Sequence, residues 1–160
     1  MARGIPRRQI REGIADWLIV FGALLLLLSL FLTWSHQFTN AFVQEVGSAQ
    51  LQGIPRDPTA WQVYSIADVL LALLAGALVV AALVAGRGAR ISALVGALLG
   101  LVFTIHAANV APTNGVNIAP ANAGVSHLVP STATSAGGEV VAIVALGIAI
   151  VGLALSFTAD

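Results

Sequence analysis

Four stretches without Asp, Glu, Lys or Arg organise this chain: Asp16 to Glu45, Asp68 to Arg87, Arg90 to Glu139, and Glu139 to Asp160. A helix needs ~20 apolar residues to cross the hydrocarbon core of a bilayer. The pattern therefore predicts four transmembrane helices, at about 16–34, 62–86, 90–109 and 138–157. The third stretch holds one helix and a loop, because Pro112, Pro120 and Pro130 end the helical pattern. The expected fold is all-α, a single four-transmembrane-helix bundle over residues 1–160 with longer outer loops at 35–61 and 110–137. "DPTAW" reads as a helix start, with Asp57 as N-cap and Pro58 at the first helical position. The second helix is then expected to begin above the membrane and run unbroken into it. In the second loop, "GVNIA" and "GVSHLV" around "PANA" have the alternation of a short hairpin.

Composition agrees with lipid as the solvent. Of 160 residues 58% are hydrophobic and only 9% charged, against roughly a quarter charged in soluble domains. Net charge is zero, so nothing in the total favours nucleic acid as a partner. The absence of cysteine excludes thiol catalysis, disulfides and cysteine-ligated metal or iron–sulfur sites. It also excludes the quinone-linked disulfide-forming membrane enzymes, which are small helical bundles too.

Arginine placement predicts the orientation. Arg3, Arg7, Arg8 and Arg11 precede the first helix, Arg87 and Arg90 sit in the tight second connection, and the long loops hold only Arg56. By the positive-inside rule the N-terminus, the 86–90 turn and the C-terminus are cytoplasmic, and the two long loops face outward. A cleaved signal peptide is the competing reading of the first segment, with "RRQIR" faintly like a twin-arginine signal. The apolar run "LIVFGALLLLLSLFL" is long for that purpose, and Trp34 and His36 follow it instead of a small-x-small site. An uncleaved anchor in the bacterial inner membrane is expected.

Lipid tails are as apolar as leucine, so helices in a bilayer associate through close packing and hydrogen bonds. Small residues at helical spacing are the signal. The fourth helix has Gly138, Ala142, Ala145, Ala149, Gly152 and Ser156. The third has Gly88, Ser92, Gly96 and Gly100, continued by Thr104. The first offers Ala15, Gly22 and Ser29, and the second Asp68, Ala72 and Gly76. Each helix thus carries a candidate seam, and one seam is free to serve self-association or another membrane protein. Trp17 is placed at the inner membrane boundary and Trp34, Trp61 and Tyr64 at the outer one, where amphipathic rings prefer to lie.

The candidate chemistry falls in one layer. Nineteen positions separate Asp68 from Arg87, ~28 Å of helix, so Asp68 belongs near the outer edge. Its spacing to Ala72 and Gly76 turns it toward protein. One reading makes it a hydrogen-bonded residue that locks helix ends together. The sharper reading notes that His106, Glu139 and His36 fall near the same level, with His127 in the outer loop. Asp, Glu and His can hold a divalent cation such as Zn²⁺ or relay protons, although no local ligand spacing is present. Glu139 also fits a helix N-terminus, where a carboxylate is favourable. His36 and His106 as haem ligands form a third option. No Walker loop, HExxH, nucleophile elbow or nucleic-acid motif occurs.

"FLTW" closing the first helix, "AWQVYSIADVLL" opening the second and an acidic residue opening the fourth resemble a group of uncharacterised four-helix membrane proteins. That group is common in actinobacteria and related high-GC bacteria, and the likeness covers most of the bundle. Its members often have Pro where this chain has Thr33. The group has no assigned reaction, so the resemblance implies location and architecture and draws attention to Trp34, Trp61 and Asp68.

Together these features lead to the expectation of a non-catalytic inner-membrane protein, without cofactor, acting as a structural, assembly or accessory subunit. A small transporter or metal- or proton-binding protein using Asp68, His106 and Glu139 is the alternative. Transporters favour broken helices or polar groups at the midplane, and "LALLAGALVV" and "ALVGALLGLV" are apolar throughout.

Overall fold

The computed structural model describes residues 7–38, 55–64, 66–84, 86–110 and 133–159. The elements are α1 (Arg7–Ser29), β1 (Ser35–His36), α2 (Ala60–Val63), α3 (Ala67–Leu83), α4 (Arg87–Asn109), β2 (Thr134–Ser135) and α5 (Gly137–Ala159). Three of these helices, α1, α4 and α5, are long and apolar enough to cross a membrane. The apolar α3 is shorter at 17 residues, ~26 Å of rise. His127 and the proposed hairpin in the second loop lie outside the described residues.

The principal helix contacts close a ring: α1 on α5, α5 on α4, α4 on α3, and α3 back on α1. The tightest seam joins α1 and α5. Ala15, Gly22 and Ser29 of α1 and Gly138, Ala142, Ala145, Ala149, Gly152 and Ser156 of α5 are all buried. A Cβ built on Gly152 would come within 2.9 Å of the Ala15 carbonyl oxygen and the Ile19 amide nitrogen. Only a residue without a side chain permits that approach.

The other two helices bury faces different from the expected ones. On α4 the buried series is Ala93, Ala97, Gly100, Thr104 and Ala107. Gly88 and Ser92 are exposed, and Gly96 is half-buried under Leu74. On α3 the buried series is Asp68, Leu71, Ala75, Leu78, Ala81 and Ala82. Ala72 is half-buried, and Gly76 is exposed with nothing within 4 Å of where its Cβ would stand.

At one end of the bundle, three chain segments knit into a cap. Ser35 pairs with Ser135 and His36 with Thr134 in an antiparallel ladder, and Thr33 bridges Thr59. The Trp34 amide donates to Pro58 O at 3.0 Å and the Gln37 amide to Arg56 O at 2.9 Å. At the other end, Arg90 donates to Asp16 at 3.0 Å, joining α4 to α1, and Arg11 donates to Thr158 at 2.9 Å, joining α1 to α5.

The cap explains two departures at helix ends. The first helix stops at Ser29 rather than Trp34, and 3.1–3.3 Å bonds from residue i to i−3 tighten the turn through Leu32. The Trp34 indole N–H donates to Ser29 O at 2.7 Å, so this carbonyl is capped by a side chain. The second helix does not run unbroken from Pro58. Thr59 is the N-cap of α2, its amide bonded to Gln62 Oε1 at 3.0 Å in a capping box. Tyr64 is then extended, and α3 starts afresh at Ala67. Asp57 points instead to His36, Oδ1 to Nδ1, at 2.6 Å.

Candidate functional site

Beneath the cap, every helix of the ring contributes a buried polar side chain: Ser29 from α1, Asp68 from α3, Thr104 from α4 and Glu139 from α5. The up-and-down path of the chain brings them to one level. Ser29 closes α1, Thr104 lies in the last two turns of α4, and Asp68 and Glu139 stand in the first turns of their helices. The two hydroxyls spend their protons locally, Ser29 on Leu26 O at 2.6 Å and Thr104 on Leu101 O at 3.0 Å. Their oxygens keep lone pairs available as acceptors.

The two carboxylates are different. Both side chains are fully buried, and none of their four oxygens has a hydrogen-bond partner among the described residues. The Tyr64 amide beside Asp68 is committed to Ala60 O at 2.9 Å, and the Ala136 amide beside Glu139 to Trp34 O at 3.1 Å. The partial positive charge of a helix N-terminus favours each carboxylate. That contribution is small beside the cost of burying an ion, on the order of several kcal/mol after relaxation. The expected locking role for Asp68 needs donors on neighbouring helices, and the described residues supply none.

Aromatic rings roof this layer. Trp34, fully buried, meets Tyr64 edge-on with centroids 6.0 Å apart, and Tyr64 meets Phe103 likewise at 5.4 Å. The Asp68 amide donates to Tyr64 O at 3.4 Å, which sets the Tyr64 ring one helical turn before that carboxylate. Gly138 makes the roof possible, since a Cβ there would run into the Trp34 ring and come within 2.8 Å of Thr33 O. Trp34 is thus a core residue rather than an interfacial one, because its N–H finds an acceptor inside the fold. Trp17 and Trp61 remain exposed, Trp17 at the arginine-rich end and Trp61 beside Phe31 at the cap end.

The described histidines stand apart from the two acids. His106 is exposed on α4, and His36 is exposed and engaged with Asp57. Among the described residues no three His, Asp or Glu side chains come together as a metal-holding group. Below the roof, an apolar groove of about 390 Å³ opens between residues 67–74 of α3 and 96–103 of α4. Leu71, one turn below Asp68, and Phe103, beside Tyr64, form part of its wall.

The site in this fold is a pair of buried acids under an aromatic roof, among apolar helices compatible with an integral membrane protein. No family model, curated protein or solved structure matches the chain.

Proposed function

We propose that this chain is an integral protein of the bacterial inner membrane that crosses it four times and serves as a non-catalytic structural, assembly or accessory subunit. The inside-out distribution of side chains carries the reading. Alanine and polar side chains share the interior with Ile19, Leu26, Leu78 and Leu153, while Leu28, Leu73, Leu99 and Val102 are 61%, 65%, 67% and 67% exposed. A water-soluble monomer rarely tolerates apolar patches on this scale. With α3 extended by the turn before it, each helix of the ring takes one pass.

Arg8, Arg11, Arg87 and Arg90 gather at the end opposite the cap, which supports cytoplasmic termini and an outward-facing cap. The likeness to the actinobacterial-type four-helix group belongs to the same reading. The exposed small residues Gly76, Gly88 and Ser92 leave outward faces on α3 and α4 where a second membrane helix can approach closely.

Cross-linking and native mass spectrometry of the chain from gently solubilised membranes test this. The expected result is a stoichiometric complex, either with another membrane protein or with itself, that Gly76→Leu or Ser92→Leu weakens. A lone monomer under all mild conditions would overturn the subunit role.

A further inference from the structure

We draw no further inference here: the strongest candidate, the buried side-chain layer beneath the cap where Asp68 and Glu139 lack hydrogen-bond partners among the described residues, shows no contact that joins the two carboxylates or gathers the oxygens around one point.

Discussion

Gly22 of α1 and Ala149 of α5 meet backbone to backbone. A Cβ on Gly22 would stand 2.8 Å from the Ala149 amide nitrogen and 2.7 Å from Ala145 O. The contact sits midway along the most extensive helix pair of the bundle. Its closeness has a direct physical meaning. Apart from the Ala149 methyl, backbone meets backbone there, so close-range dispersion replaces the hydrophobic drive that lipid cannot supply.

Even one methyl group is therefore too much at this seam. Gly22→Ala or Gly152→Ala is expected to destabilise the bundle by about 1–3 kcal/mol through overpacking. Gly76→Ala meets open space and should be neutral or stabilising by up to ~1 kcal/mol, since alanine is the better helix former. Thermal melting of the three variants in one detergent compares them. Equal melting points would show that the α1–α5 seam yields without cost.

The roof offers a second test. Trp34→Phe keeps an aromatic ring against Tyr64 and removes the 2.7 Å hydrogen bond to Ser29 O. The loss should be about 0.5–1.5 kcal/mol, because Ser29 O loses that donor but keeps the Leu32 amide at 3.1 Å. Trp34→Ala should cost more, about 3–5 kcal/mol, because it empties a fully buried volume. Equilibrium unfolding that ranks the two variants in the opposite order would contradict the roof.

At the opposite end, Asp16 accepts from Arg90 across the α1–α4 gap, with the Arg90 side chain only 12% exposed. Asp16 itself is 36% exposed, so water screens part of the attraction. Asp16→Asn retains an acceptor oxygen and should cost less than ~1 kcal/mol. Asp16→Leu should cost about 1–3 kcal/mol, because it strands a buried guanidinium whose Nε already lacks a partner among the described residues. A double-mutant cycle with Arg90→Leu measures the coupling, and zero coupling would mean that the contact adds nothing.

Orientation is accessible through chemistry that the native chain lacks. With no cysteine present, each engineered thiol is the sole target of a maleimide. Cysteine at Ser48 or Thr132 should be labelled from outside intact cells, and cysteine at Ser92 or Ala159 should not. The reverse pattern would invert the proposed topology.

Much of the architecture was legible because it rests on local properties. Which stretches are apolar, and where arginine interrupts them, follows from residue order alone and places α1, α3, α4 and α5. Seam residues could be read where small side chains alternate at spacings of four and three, as in Gly138, Ala142, Ala145, Ala149 and Gly152. That alternation averages close to one helical repeat and holds a single face. On α4 the series Gly88, Ser92, Gly96, Gly100, Thr104 steps by four throughout. Each step overshoots a turn by ~40°, so Gly88 ends up ~160° from Thr104. The face buried there begins instead at Ala93.

Tertiary structure decided the rest. Trp34 and Tyr64 have the composition of interfacial residues, and only the pairing of 33–37 with 55–59 and 133–136 folds them inward over the helix ends. The same is true of the acids. Residue order placed Asp68, Glu139, His36 and His106 at similar heights, but height does not set the direction a side chain takes around its helix. The ring order of the helices turns Asp68 and Glu139 into the interior and leaves His106 outside. Depth along a helix accumulates residue by residue from composition and length, whereas facing is fixed by contacts between segments far apart in the chain.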